Sequence, residues 1–167
     1  AFKKIAVIGK YPSKEESTDI NSQLLQLVEH LSKKPVELFV EEKTQQQLNA
    51  QTIQAIALKD IGACVDLAII IGGDGTMIGV ARNLVDSNTP LVGVNQGRFG
   101  FLADLNTSSM LTNIDSILNG EYIEDKRMLI NTKIIRDDHV VYESLSLNDI
   151  VIKSGVRLIE LEVMIDN

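Results

Sequence analysis

From Phe2 to Gly9 the chain carries a β-branched apolar run, Ile5-Ala6-Val7-Ile8, closed by a glycine. That pattern predicts a buried strand. The polar stretch from Lys10 follows and ends at Ser17 or Thr18, either of which suits a helix N-cap. Ile20, Leu24, Leu27, Val28 and Leu31 then recur at helical spacing and predict one buried helix face. Val36 to Val40 predicts a second short strand. Leu48, Ile53, Ile56 and Ala57 recur loosely and predict a helix from Thr44 to Lys59. Leu67 to Ile71 is apolar at every position, as in a parallel strand covered on both faces. A helix containing Met77, Val80, Ala81 and Leu84 comes next, then a strand, Leu91 to Val94, and a glycine-rich loop, Asn95 to Gly100.

Strands alternating with helices in this order predict an α/β fold, a Rossmann-like doubly wound parallel sheet. The character changes after a helix from Ser108 to Leu118, which Asn119-Gly120 should stop. Met128 to Ile135, Val140 to Ile152 and Leu158 to Ile165 alternate apolar and polar residues, with turns at Asp137-Asp138 and Ser154-Gly155. These predict consecutive antiparallel strands. The expected organisation is an α/β domain over 1–120 and the start of a β-rich domain over 121–167. Three strands make a marginal domain alone, so the chain is expected to be a piece of a longer polypeptide.

Charge and cysteine content narrow the function. The 167 residues include 23 acidic and 16 basic side chains, a net charge of −7, which disfavours a nucleic-acid binder needing a basic face. A single cysteine, Cys64, excludes a disulfide framework and a thiolate-rich metal site, and it is expected in the core beside Ile61 and Val65. His30 and His139 lack ligand spacing, and His30 is expected to be partly exposed. No apolar run approaches the roughly 20 residues that span a bilayer. The first residues enter a strand pattern directly, which leads to the expectation of a cytoplasmic protein.

Gly72-Gly73-Asp74-Gly75-Thr76 lies between the all-apolar strand and a helix start, where open parallel sheets bind ligands. Glycines there let the backbone approach a phosphate, and helix N–H groups point at the anion. A carboxylate in such a loop fits phosphoryl transfer, either through a divalent cation or as the group facing a hydroxyl that loses its proton. The alternative is a tight turn in which Asp74 caps the helix. Neither the GxxxxGK[ST] nor the GxGxxG pattern is present. In Asn95 to Leu102, Phe99 and Phe101 stand beside glycines and either pack on a base or sugar or bury the loop against the second domain. Asn148 and Asp149 interrupt an apolar strand and must meet solvent, a turn or a ligand, since burying them unpartnered is costly. Arg157 is suited to a phosphate or to solvent.

GGDGT, then NQGRFGFLADL, then LNDIVI, in that order and spacing, resembles the NAD kinase family across essentially the whole chain. The resemblance implies an enzyme that phosphorylates the 2′-hydroxyl of the adenosine ribose of NAD with ATP, or polyphosphate as a second donor, and Mg²⁺ or another divalent cation. It implies Asp74 as general base and Gly73, Asp74, Gly75, Phe101, Asn148, Asp149 and Arg157 as ligand-binding residues. It also implies two domains with the site between them and a homo-oligomer, a dimer or tetramer. Two departures stand out. Gly79 occupies a position where many relatives carry a basic residue, and the family's Thr-Gly-Ser-Thr run is absent from these 167 residues. GGDGT alone is shared with diacylglycerol-type lipid kinases, so a lipid kinase and a non-catalytic nucleotide-binding module remain the alternatives.

Overall fold

A computed structural model describes residues 2–10, 17–96, 100–103, 105–155 and 158–165. The chain divides into two compact units, Ala1–Arg127 and Met128–Asn167.

In the first unit β1 (Lys4–Gly9), β2 (Glu37–Glu41), β3 (Gln54–Ile56), β4 (Leu67–Ile71), β5 (Leu91–Asn95) and β6 (Leu105–Asn106) form one sheet in the order β3-β2-β1-β4-β5-β6. Every pairing is parallel. Parallel strands need crossovers, and α1 (Ser17–Ser32), α2 (Glu42–Leu48), the short α3 (Ile61–Cys64), α4 (Asp74–Asn83) and α5 (Met110–Leu118) accompany them. The expected doubly wound α/β sheet is what forms.

The period of two in β1 and β4 divides the core cleanly. Ile5, Val7, Leu67, Ile69 and Ile71 face α1 and α5, packing with Leu24, Leu27, Leu31, Met110 and Ile114. Ala6, Ile8, Ala68 and Ile70 face the other layer with Ile61, Met77, Val80 and Leu84. Both faces of β4 are thus covered, which is why no polar residue interrupts it. The five α1 residues expected on its buried face are all buried.

Two expectations fail in this unit. The helix expected from Thr44 to Lys59 stops at Leu48, because Asn49 turns left-handed at φ 53° and caps it. The chain then forms β3 and a 3₁₀ turn, Leu58–Asp60. Cys64 is exposed rather than in the core, since α3 is one turn long and buries Ile61 instead.

In the second unit β7 (Ile130–Arg136) and β8 (His139–Ser146) pair antiparallel around Asp137 and Asp138. Both turn residues have positive φ, 49° and 61°, the backbone twist a two-residue hairpin loop requires. The strand expected from Leu158 to Ile165 does not form, and β8 ends at Ser146 rather than Ile152. Alternation alone makes no strand without a neighbouring edge to pair with.

Candidate functional site

The strand order reverses between β1 and β4, and the carboxyl ends of strands at such a switch form the crevice where doubly wound sheets bind ligands. Gly9, the last residue of β1, lies opposite Ile71, the last of β4, and Lys10 N–H donates to the Ile71 carbonyl at 2.8 Å. On the other side the Gly72 N–H donates to the Val94 carbonyl at 3.0 Å. GGDGT therefore leaves the sheet at its centre. Gly72 packs under Thr76, and a β-carbon there would sit 2.6 Å from the Thr76 hydroxyl oxygen.

The helix begins at once. Gly73 is the N-cap and carries no side chain to cap with, and its carbonyl accepts from the Thr76 and Met77 N–H groups at 3.0 and 3.2 Å. Asp74 is the first helical residue, and its carboxylate turns away from the helix. Oδ2 accepts from the Phe101 N–H at 2.9 Å and Oδ1 from the Leu102 N–H at 3.2 Å. The helix-cap alternative for Asp74 is thereby replaced by a contact 27 residues away in the chain. The loop after β5 is fastened to the start of α4.

Two N–H donors do not exhaust a carboxylate, which offers about four acceptor directions. Asp74 is half-buried and Gly75 beside it is exposed, so the carboxylate is fixed in orientation and still reachable. The backbone at Gly73 and Gly75 is open among the described residues, since a β-carbon at either meets no atom within 4 Å. The position at the N-terminus of α4 also favours negative charge. An oriented, accessible carboxylate beside open glycine backbone is chemically suited to accept a proton from a bound hydroxyl.

Phe101 is 90% exposed. Its backbone N–H is engaged by Asp74. Phe99 lies outside the described residues, as does Arg157. Asn148 and Asp149 belong to the second unit, just beyond β8, and both are exposed, Asn148 in a bend. The Ser146 hydroxyl donates to the Asp149 carbonyl at 2.6 Å, so the polar pair occupies a turn at a strand end. Asp74, Gly73 and Gly75 are adjacent in the first unit, with Phe101 joined to them through its backbone. Among the described residues no three His, Cys, Asp or Glu side chains converge to hold a metal ion. No described helix is long and apolar enough to cross a membrane.

One participant was not singled out by the sequence pattern. Gly100 approaches Asp74 so closely that a β-carbon built on it would collide with Oδ1 and lie 2.8 Å from Cγ and 2.9 Å from Oδ2. Its only sequence signal is a second glycine directly before the Phe101-Leu102 pair.

Comparison with known proteins gives consistent matches. The family described as "ATP-NAD kinase N-terminal domain" matches residues 5–122. The NAD kinase of Nitrosomonas eutropha is 40% identical over 167 residues, covering 99% of this chain and 55% of the relative. The NAD kinase of Laribacter hongkongensis is 38% identical over 168 residues, covering 99% and 56%. The chain thus spans about half the length of the curated relatives it matches. Yeast NADH kinase, solved in complex with NADH, superposes with a TM-score of 0.66 at 13% identity, over 87% of this chain and 47% of that one, a likeness of fold.

Proposed function

Since the chain belongs to the ATP-NAD kinase family through its N-terminal domain, we propose that the protein it represents transfers the γ-phosphoryl group of ATP to the 2′-hydroxyl of the adenosine ribose of NAD. Polyphosphate is the second candidate donor. Asp74 takes the hydroxyl proton, the freed oxygen attacks the γ-phosphorus, and the bond to the ADP leaving group breaks, giving NADP and ADP. The observation that carries this reading is the Asp74 carboxylate itself, held by two backbone N–H groups at the switch point of the sheet.

The open backbone at Gly73 and Gly75 is proposed to receive the dinucleotide, with the exposed ring of Phe101 bordering it. Asn148 and Asp149 are proposed to hold its hydroxyls, and Arg157 to contact phosphate. A divalent cation, Mg²⁺ in the first instance, is proposed to enter on the phosphates of ATP, since one carboxylate with substrate oxygens is its usual setting in kinases. We further propose that the protein works in the cytoplasm as a homo-oligomer.

The test is NADP formation from NAD, ATP and Mg²⁺ by the full-length protein, with and without Asp74→Asn. A general base contributes about 10²–10⁴-fold, so the substitution should cut kcat by that order while NAD still binds. Absence of NADP from the wild-type protein rejects the kinase reading. Undiminished turnover by Asp74→Asn rejects Asp74 as the base.

A further inference from the structure

We propose that Gly100 is a positioning residue for the phosphoryl transfer, a place where the absence of a side chain lets two N–H groups grip the Asp74 carboxylate; this rests on the reading of Asp74 as base. The Phe101 and Leu102 N–H groups reach Oδ2 and Oδ1 at 2.9 and 3.2 Å. They can do so only if the preceding residue passes directly against the carboxylate. A β-carbon at position 100 would meet all three terminal atoms of Asp74, with Cγ at 2.8 Å and Oδ2 at 2.9 Å. Real β-carbons do not approach that closely, so the loop or the carboxylate must shift. The carboxylate is the shorter lever, because Asp74 is rooted in the first turn of α4.

The rest of the loop resists moving as a whole. Ala103 is buried, and its α-carbon would lie 2.9 Å from a β-carbon at Gly93 in β5, so backbone packs on backbone there. Leu102 packs against the core layer that holds Met77 and Val80 of α4. One end of the grip is therefore set by the core and the other by the helix start. Gly100 sits at the gap between them. A methyl group inserted there rotates the Asp74 carboxylate away from its two donors and misaims the proton acceptor.

Four forms of the full-length protein test this: wild type, Gly100→Ala, Asp74→Ala and the double variant. Each is measured for thermal unfolding and for NADP formation from NAD, ATP and Mg²⁺. Gly100→Ala should lower Tm, and the same substitution should be neutral once Asp74→Ala has removed the carboxylate. Misplacing a catalytic group by an ångström costs about 10²-fold, so Gly100→Ala should reduce kcat by that order with KM for NAD little changed. In the Asp74→Ala background Gly100→Ala should reduce the residual rate no further. Equal Tm loss with and without Asp74, or wild-type kcat in Gly100→Ala, overturns the proposal. Full activity of Asp74→Asn fails the base reading instead, and with it any catalytic role for Gly100, even where the Tm cycle holds.

Discussion

Glu41 and Thr44 share a single oxygen: Glu41 Oε2 accepts from the Thr44 backbone N–H at 2.9 Å and from its hydroxyl at 3.0 Å. The hydroxyl oxygen in turn accepts from the Gly9 N–H at 3.0 Å. Glu41 is 2% exposed and Thr44 fully buried. A glutamate thus caps α2 at the end of β2 and ties it to the end of β1, beside the strand-order reversal. Burying this polar group is tolerable because its hydrogen bonds come with it.

Thr44→Val keeps the shape and removes the hydroxyl. It leaves the Gly9 N–H without its acceptor and takes one donor from a buried carboxylate. An unsatisfied buried group costs about 1–3 kcal/mol, more beside a charge. The expected loss is about 2–4 kcal/mol in urea unfolding, with Thr44→Ser recovering most of it. A midpoint unchanged by Thr44→Val would mean the network contributes nothing net.

Gly93 illustrates a packing need with no unusual backbone angle. A β-carbon there would stand 2.9 Å from the Ala103 α-carbon, 3.0 Å from the Ala103 β-carbon and 3.0 Å from the Met77 sulfur. The methionine can move, but the loop backbone is harder to displace. Gly93→Ala should therefore destabilise by about 1–3 kcal/mol, the usual range for overpacking, read as a fall in Tm. A Tm at or above the wild-type value would show that the loop from Gly100 to Ala103 yields freely. That outcome would also weaken the argument for Gly100.

Acid should loosen the helical layer. The Asp115 carboxylate of α5 takes His30 Nε2 at 2.8 Å and Lys34 Nζ at 2.7 Å, joining α5 to the end of α1. Burial pushes its pKa up, but the hydrogen bonds and charges of Lys34 and His30 outweigh that and leave it below the ordinary value. Asp66 is also lowered, chiefly by the Lys3 and Lys4 backbone N–H groups that donate to it. A carboxylate with a depressed folded-state pKa stabilises fully above its unfolded value, and that contribution fades as pH falls through the folded value. Stability should thus be flat above about pH 5 and decline below it, and Asp115→Asn should flatten the decline. An identical Tm profile in the variant from neutral pH to acid would assign the loss to other groups.

The central strands were legible in the sequence because burial on both faces writes itself as an unbroken apolar run, as at Leu67 to Ile71. α1 was legible because its five buried positions keep helical spacing. β3 was not, since it lies at the sheet edge and buries only Ile56. β6, two residues long, carries no period at all. Asp74 is marked by its glycines and its place after a strand, whereas Phe101 is marked by its ring and not as a backbone donor, and Leu102 not at all. Backbone N–H groups look the same at every residue, so nothing in the letters Gly100-Phe101-Leu102 states where they point. Only the packing of Leu102 and Ala103 does.

The second unit cannot cover its own apolar surface. Ile130, Ile134 and Ile135 of β7 and Val140, Val141 and Tyr142 of β8 are all exposed, as are Ile150 to Ile152 and Leu158, Ile159, Leu161, Val163, Met164 and Ile165. A two-stranded ribbon has no second layer against which to bury such residues and is marginal in water. Contiguous exposed apolar patches bind other apolar surfaces or cause association. The 167-residue chain should therefore enhance the fluorescence of anilinonaphthalene sulfonate strongly and elute larger than a monomer. A chain ending at Arg127 retains both core layers around β1 and β4, and should lose most of that dye binding while keeping its circular-dichroism spectrum for helix. Equal dye binding by the two chains would place the exposed apolar surface in the first unit and contradict the burial of its core.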